Sequence, residues 1–332
     1  MSRLCRTAAL AGLAGALLAA PGCLGHHDPV APHVSASPLR MIWPNEDGRS
    51  WSYQVVERSF ADGSITIYGN PAAVPPAPSI SQAAALLDTL PIGTVIGSDT
   101  ASFGLRFSGL ITTQSGVTRQ NLFETLVSTS ATSPARTPIG GSPAFLAQLY
   151  RARPDLRPLL RARFASVSQL ADTVHTYAST LLHGYAWEKT TRWIGTYGDV
   201  DTLLAWKFLT SNLLPGSEFT HQLVPSLASD VFLHGRILER QTVRTPAGTY
   251  VNAVVCAYLI DFGISQLTGA GGTVTGYSRW YNYGSVAYVD GVGPVACYER
   301  RMLTVGSRST GVGDVALRLT GTGPGLLSAD RP

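Results

Sequence analysis

Charged side chains are scarce in this chain. They make up 14% of its 332 residues, and the formal net charge is only +4. Two of the basic residues, Lys189 and Lys207, are lysines, and the others are arginines spread along the sequence. Binding to a nucleic-acid backbone needs a basic patch that neutralises several phosphates. The composition therefore argues against a nucleic-acid partner.

Short catalytic and cofactor motifs are also missing from the sequence. There is no Gly-x-Ser-x-Gly nucleophile turn and no His-Glu-x-x-His zinc-protease motif. No Gly-x-Gly-x-x-Gly loop opens a helix, and no Cys-x-x-Cys pair occurs. The Gly-rich stretch 269–272 joins two predicted strands and is typical of a hairpin loop. We therefore expect no cofactor, no metal site and no enzymatic activity.

The N-terminus carries the pattern of an export signal. Arg3 and Arg6 form a short basic region, and an apolar run over 7–20 follows that is too short to span a bilayer comfortably. The run ends in small residues before Cys23, which resembles a bacterial lipoprotein signal. That resemblance implies a signal peptide over 1–22, a lipid (palmitate among its acyl chains) on Cys23 and, because Leu24 follows, sorting to the outer membrane. The alternative is ordinary secretion with Cys23 left as a plain thiol.

The segment 23–38 has little apolar content and predicts a flexible tether between a lipid anchor and a folded domain. It contains His26, His27, Asp28 and His33, residue types that bind metals. A solvated linker explains them better than a metal site, since nothing in the segment imposes a coordination geometry.

The region 39–310 predicts a β-rich domain. Trp51, Tyr53 and Val55 alternate with polar residues, as in a half-buried strand. A hairpin with 64–68 and further strands over 92–130 follow. The clearest architecture is a meander whose strands cover 231–244, 250–260, 277–289 and 295–305. Pro246 and Gly248 mark a tight reversal between the first two, because proline cannot donate to a ladder and glycine tolerates positive φ.

Three segments depart from the strand pattern. The segment 79–90 predicts a helix, because Ser79 can cap an Ala- and Leu-rich body and Pro91 lies just beyond its end. The block 142–184 has helical periodicity and begins with Ser142-Pro143, a cap followed by proline at the first helical position. Pro154 and Pro158 are expected to break its first helix into pieces. The block as a whole predicts a helical insertion that packs on the sheet, forms a lid or binds a partner. The segment 311–332 is Gly-rich and predicts a C-terminal tail, with 315–319 as one last short strand.

Cys256 and Cys297 both lie in predicted strands of the meander. In an oxidising compartment such a pair can form a disulfide. Two buried thiols are the alternative, because cysteine is a good small core residue.

Aromatic residues provide the main indication of a binding site. Five of them on the predicted meander are candidates to line a ligand site on a concave sheet: Tyr250, Tyr258, Trp280, Tyr281 and Tyr283. Such a surface suits an apolar or carbohydrate ligand. Alternation places Trp280 on one face and Tyr281 and Tyr283 on the other. A sheet core with cross-strand aromatic pairs explains the same residues without a ligand.

An acid/base site would have to use a histidine. His221 and His234 lie on separate predicted strands, and Asp199, Asp201 or Asp230 could pair with either one. A hydrolase of unfamiliar type would need one of these histidines within hydrogen-bond reach of both a carboxylate and a Ser or Thr hydroxyl. Scattered surface histidines are the simpler explanation.

Three short motifs resemble a group of uncharacterised bacterial lipoproteins. These are the Gly-x-x-Trp-x-Tyr start (Gly48, Trp51, Tyr53), the Pro-Ala-Gly-Thr-aromatic turn at 246–250, and the Gly-Val-Gly-x-Val turn at 291–295. The resemblance implies a mainly β fold, either an antiparallel curved sheet or a half-open β-barrel, with the helical block 142–184 as an insertion. It supplies no catalytic residues.

Three functions remain in view. The first is a non-enzymatic envelope lipoprotein, held to the membrane by its N-terminal lipid, that is an interaction or structural component with an envelope protein partner. The second is a carrier or sensor for an apolar ligand, which requires an open apolar cavity under residues 142–184. The third is the hydrolase.

Overall fold

The fold is dominated by one antiparallel sheet, seen in a computed structural model of the chain. The residues that the structure describes are 42, 44, 48–60, 66–87, 99–114, 117–128, 135–137, 143–163, 186–189, 193–197, 206–210, 212–305 and 309–323. The predicted signal 1–22, Cys23, the tether to residue 38 and the helical pattern after residue 163 lie outside them.

The sheet of the described residues has fourteen strands. In chain order they are β1 (Ser50–Phe60), β2 (Asp99–Gln114), β3 (Val117–Ser128), β4 (Ala135–Thr137), β5 (Ala186–Lys189), β6 (Trp193–Tyr197), β7 (Trp206–Thr210), β8 (Glu218–Gln222), β9 (Phe232–Ile237), β10 (Gln241–Thr245), β11 (Gly248–Thr268), β12 (Val274–Val289), β13 (Gly293–Val305) and β14 (Ser309–Gly323).

Across the sheet the strand order is β7-β6-β5-β3-β2-β1-β14-β13-β12-β11-β9-β8, with β4 paired to β3 and β10 paired to β11. These pairings are antiparallel, which confirms the predicted mainly β architecture. β7 and β8 stand at opposite ends of this order, yet they approach each other in space. The sheet must therefore curve back toward itself, as a half-open arrangement requires.

The first and last described strands pair with each other in the middle of the sheet. β1 lies between β2 and β14, and its register with β14 runs from Ser50↔Gly323 to Phe60↔Val312. Val315, Leu317 and Leu319 alternate into the core. The segment predicted as a tail from residue 311 therefore contains a central strand up to Gly323, much longer than the predicted 315–319. The alternating apolar residues of β14 form a central strand because β1 and β13 pair with it on either side.

The meander is confirmed, with two changes of detail. The predicted strand 231–244 is two short strands, β9 and β10, which pair one after the other along the same edge of the 21-residue strand β11. The reversal at Pro246 and Ala247 is a two-residue turn that sets Thr245 opposite Gly248. The expected hairpin of 64–68 with the first strand does not form at Tyr68, which bridges Tyr277 of β12. β1 already has β2 and β14 as neighbours.

The Trp-x-Tyr strand and the Gly-Val-Gly-x-Val turn contact each other directly. Trp51 Nε1 donates to the carbonyl of Val292 at 2.6 Å, and Tyr53 OH donates to the carbonyl of Pro294 at 2.8 Å. Both rings are fully buried. Gly293 has φ +104, and a Cβ added there would lie 2.8 Å from Trp51 Nε1. The β12–β13 turn is therefore held on β1, and the glycine is required by both backbone conformation and space.

The third motif reaches the same strand region. Ala247 N, at the tip of the β10–β11 hairpin, donates to the carbonyl of Leu319 at 3.0 Å. Leu319 is the register partner of Tyr53. All three motifs that carry the sequence resemblance thus converge around β1, although Trp51 and Val292 are 241 residues apart in the sequence.

Helix α1 (Ile80–Leu87) packs on one face of the sheet. Ser79 begins it with a reciprocal cap, since Gln82 N donates to Ser79 Oγ at 3.2 Å and Ser79 N donates to Gln82 Oε1 at 2.8 Å. The buried side chains of the helix form a small core with Ala257, Leu259 and Tyr298. We call the face that carries these three residues the outer face.

The opposite face, here called the inner face, carries the larger core. Helix α2 (Pro143–Ala152) packs on it, and the Phe145 ring stacks at 6.0 Å from that of Phe262. A 3₁₀ turn (Pro154–Leu156) and helix α3 (Arg157–Arg163) follow, so the break predicted at Pro154 is present. Pro158 instead falls in the first turn of α3, where a missing N–H costs nothing. Among the described residues, no helix combines the length and apolar character that crossing a bilayer needs.

One arginine fastens the helical segment to the sheet. Arg153, 7% exposed, donates to Asp230 Oδ1 at 2.8 Å and to the carbonyl of Phe262 at 3.0 Å, and it also pairs with Asp155. Asp230 Oδ2 accepts from Ile264 N at 3.0 Å. Phe262 lies in the bulge that shifts the β11–β12 register. These contacts of Arg153 therefore hold the end of α2 at the point where β11 bends.

Candidate functional site

The five aromatic candidates do not form one site. Tyr258 and Trp280 lie on the inner face, whereas Tyr281 and Tyr283 lie on the outer face beside the α1 core. Tyr250 packs, partly buried, against the inner core near the β10–β11 turn. The predicted separation of Trp280 from Tyr281 and Tyr283 is thus present, because side chains alternate along β12.

Tyr258 belongs to a filled core. Its hydroxyl lies 3.2 Å from that of Tyr288, and burial raises the pKa of both phenols well above their ordinary value. Phe145 and Leu149 of α2 join the same core. In the part of the insertion that the structure describes, side chains therefore occupy the space where a carrier would need an open apolar cavity.

Trp280 is held by a chain of buried polar groups. Its Nε1 donates to Asn282 Oδ1 at 2.9 Å, and Asn282 Nδ2 donates to Glu299 Oε1 at 3.2 Å. Asn282 and Glu299 are at most 1% exposed. The sequence analysis did not predict these hydrogen bonds, although Glu299, in a strand of otherwise core-facing residues, was an available signal. These hydrogen bonds hold the Trp280 indole on the inner face, so its position is explained without a ligand.

The outer face carries a row of residues that crosses six strands and is polar or aromatic at every strand except β11, where Leu259 lies. The register links Thr220 of β8 to His234 of β9, Leu259 of β11, Tyr283 of β12, Arg300 of β13 and Asp314 of β14. Tyr281 and Arg279 continue along β12 on the same face. We call Thr220, His234, Arg279, Tyr281, Tyr283 and Arg300 the aromatic strip. All of them are at least partly exposed to solvent.

Ion pairs hold the arginines of the aromatic strip in place. Arg300 donates to both carboxylate oxygens of Asp314, at 2.6 and 2.8 Å, and Arg279 binds both oxygens of Asp261, at 3.0 and 2.6 Å. These hydrogen bonds raise the pKa of both guanidinium groups. Bidentate pairs fix geometry as well as charge. Sequence reasoning did not find them, because each partner lies on a different strand.

The two tyrosines lie side by side on this surface. The rings of Tyr281 and Tyr283 have centroids 6.4 Å apart and are tilted by 36°. Arg300 Nη1 donates to Tyr283 OH at 3.2 Å, and its guanidinium carbon lies 5.9 Å from the Tyr283 ring centre. Burial raises the pKa of Tyr283, so the phenol is neutral and can donate a hydrogen bond at physiological pH.

His234 meets half of the hydrolase requirement. Thr220 Oγ1 and His234 Nδ1 are 2.9 Å apart, across the β8–β9 pair. Burial lowers the pKa of His234, which favours neutral imidazole. Among the described residues, no carboxylate is hydrogen-bonded to His234. Asp230, expected as a partner of either histidine, binds Arg153 and Ile264 instead. Asp199 and Asp201 lie outside the described residues.

Cys256 and Cys297 are two buried thiols that no disulfide joins. Both are register partners of Val286, on opposite sides of β12. Their strands are therefore two spacings apart, about 9.5 Å, whereas a disulfide needs Cα atoms within about 7 Å. Both residues alternate onto the same face with a strand between them, which leaves the alternative of two buried thiols. Burial raises the pKa of Cys256 to about 12.

A cleft of about 370 Å³ opens beside α1. Ser81 and Ala85 line it from the helix, and Gly216, Arg236 and Gln241 from the sheet side. Arg236 donates to Ser81 Oγ at 2.8 Å and pairs with Glu218. The described residues contain no group of three His, Cys, Asp or Glu side chains placed to hold a metal ion.

Comparison with known proteins assigns this chain to no family. No family model matches the chain, and no curated protein matches it. A candidate exported protein with a YmcC-like fold from Bacteroides fragilis is similar at 9% identity and a TM-score of 0.37, over 86% of this chain and 99% of its own. A candidate lipoprotein from Parabacteroides distasonis is similar at 9% identity and a TM-score of 0.28, over 85% and 98%. Both likenesses are too distant to assign a function.

Proposed function

We propose that this protein is a lipid-anchored component of the bacterial cell envelope that acts through interaction rather than catalysis. The observation that carries the proposal is the N-terminal pattern of Arg3, Arg6, an apolar run and small residues ending at Cys23. Several acyl chains on one cysteine make a stable anchor, since each buried methylene contributes about 0.8 kcal/mol. Leu24 after Cys23 favours the outer membrane as the place of anchoring.

The folded domain supports an interaction role over a carrier role. The inner face beside α2 is packed with side chains, as the Phe145–Phe262 stack shows. The outer face, in contrast, presents the aromatic strip to solvent. A domain that is anchored to a membrane through Cys23 and has an exposed aromatic surface on its sheet is well placed to act as a scaffold or binding component.

Metabolic labelling tests the anchor. The full chain, with its own signal, is expressed in a Gram-negative host and labelled with an alkyne analogue of palmitate. We expect label on the wild type and on Cys5→Ser, a matched control in the signal, and no label on Cys23→Ser. The labelled protein should fractionate with the outer membrane on a sucrose gradient. A processed but unlabelled protein in the periplasm would contradict the proposal.

Native mass spectrometry tests the choice between interaction component and carrier. The lipidated protein is extracted in a mild detergent and weighed before and after denaturation. We expect one mass, equal to the processed chain with its acyl groups. A stoichiometric small molecule lost on denaturation would favour the carrier.

A further inference from the structure

We infer that the aromatic strip is a binding surface for an uncharged glycan, which would make a hydroxyl-rich polymer of the envelope the partner of this protein. The inference rests on the proposed function, because it names the partner class of the same anchored domain. Three observations support the inference: the geometry of the two tyrosines, the balance of charge around them, and the absence of exposed aliphatic side chains in the aromatic strip.

The tyrosines provide a partly apolar platform. Tyr281 and Tyr283 are two residues apart in β12, so both project from the same face, and their centroids are 6.4 Å apart. Each ring is only half-buried, against the α1 core on one side. Tyrosine combines an apolar ring face with a polar hydroxyl. This combination suits a ligand that has both C–H faces and hydroxyl groups, as a sugar ring does.

Among the described residues, the charged side chains around the platform form neutral pairs. Arg279 and Arg300 are each held by one carboxylate, and the carboxylates of Asp261 and Asp314 lie underneath, 5% and 4% exposed against 20% and 35% for the arginines. Arg236, farther along β9, is likewise paired with Glu218. Each guanidinium group is therefore held in a fixed position by a carboxylate, and the two pairs carry no net positive charge. A phosphate-rich polymer or an anionic membrane would need unneutralised cations.

Aliphatic contact area is missing from the strip. The exposed large apolar side chains of the described residues are Ile67, Leu86, Leu159, Leu214, Val251 and Val274, and none belongs to it. A lipid chain or the apolar face of a partner helix would bind through such side chains. Aromatic rings with a few placed polar groups are instead typical of sites for polar small molecules and oligosaccharides.

The test measures binding of the full lipidated chain to immobilised glycans. The protein is kept in lauryldimethylamine oxide, a detergent without a sugar headgroup. The probes are maltoheptaose, cellohexaose and chitohexaose, with heparin as the charged comparison. We expect saturable binding to at least one uncharged probe and no dependence on salt. Tyr281→Ala and Tyr283→Ala should each bind about tenfold more weakly, the effect of one interfacial aromatic contact.

Two controls separate a binding effect from a folding effect. Tyr281→Phe keeps the ring and loses only the hydroxyl, so it should bind more tightly than Tyr281→Ala. Tyr250→Ala removes a tyrosine of similar exposure outside the strip and should also leave binding unchanged. Thermal unfolding of every variant is recorded in parallel, so a loss of binding at unchanged Tm reports the surface itself.

Three results would overturn the inference: no binding to any uncharged probe, equal binding by wild type and both alanine variants, or binding to heparin alone. If Cys23 labelling succeeds while glycan binding fails, the envelope lipoprotein proposal stands and only the partner class is wrong. If labelling fails as well, the proposed function is wrong.

Discussion

Replacing Gly293 with alanine should destabilise the protein more than a simple glycine effect. Gly293 has φ +104, and an added Cβ would lie 2.8 Å from Trp51 Nε1 and 3.1 Å from the neighbouring indole carbons. An L-residue at positive φ costs about 1–2 kcal/mol. Overpacking against a fully buried ring adds about 1–3 kcal/mol. We therefore expect Gly293→Ala to lose about 3 kcal/mol, a decrease in Tm of about 6–12 °C for a domain of this size.

Gly291 is a matched control in the same turn. It has φ +73, but an added Cβ would meet no atom within 4 Å. Gly291→Ala should therefore show the conformational cost alone, about 1–2 kcal/mol. The difference between the two variants isolates the clash with Trp51. Both are measured by equilibrium urea unfolding followed by tryptophan fluorescence, and by differential scanning calorimetry.

A double-mutant cycle tests the identity of the clashing group. Trp51→Phe removes the indole nitrogen, and with it the hydrogen bond to the Val292 carbonyl. In that background Gly293→Ala should cost less than it does in the wild type, because the atoms nearest its Cβ are gone. Equal penalties at Gly291 and Gly293, or additive effects of Trp51→Phe and Gly293→Ala, would refute the packing argument.

Three further predictions follow from individual contacts. When denatured without a reducing agent, the protein should react with two equivalents of a thiol reagent at Cys256 and Cys297, in addition to any thiol at residue 23. If these two cysteines do not react, they are joined in a disulfide. Arg153→Met should destabilise the fold by about 2 kcal/mol, because Asp230 loses a charged partner that also ties α2 to the sheet, and Asp230→Asn should cost less. His234 should titrate below pH 6.5 by NMR, since burial disfavours its charged form. As the pH falls, the unfolded state therefore binds a proton at His234 before the folded state does. The stability that neutral His234 contributes is fully present above about pH 6.5 and is lost as the pH falls through the pKa of the folded state. A titration midpoint above pH 6.5 would contradict this prediction.

The first strand and the strands of the meander were predictable because their signals are local. Alternation in β1, the apolar run of β11 and the Pro246 turn each act within a few residues, and the structure has each of them. The Ser79 cap and the helix after Pro143 were predictable for the same reason. Element boundaries were less certain, as the split of 231–244 into β9 and β10 shows, because both strands are defined by their pairing with β11.

The candidate site was predictable only in part. The sequence indicated Tyr281 and Tyr283 and placed them on one face, because alternation is local. It could not separate them from Tyr250 and Tyr258, since that depends on which face α1 and α2 cover. The ion pairs of Arg279 and Arg300 join residues 18 and 14 positions apart on neighbouring strands, so they depend on register.

The sequence by itself determined the export pattern, the strand and helix types and the faces of individual strands, because these follow from composition and from periods of two and 3.6 residues. Only the tertiary structure decided that β14 pairs with β1, that a strand separates Cys256 from Cys297, and that Thr220, His234, Tyr283 and Arg300 share one row. The physical reason is that strand partners and register are set by non-local packing. A shift of one residue in any strand would move its side chains to the opposite face.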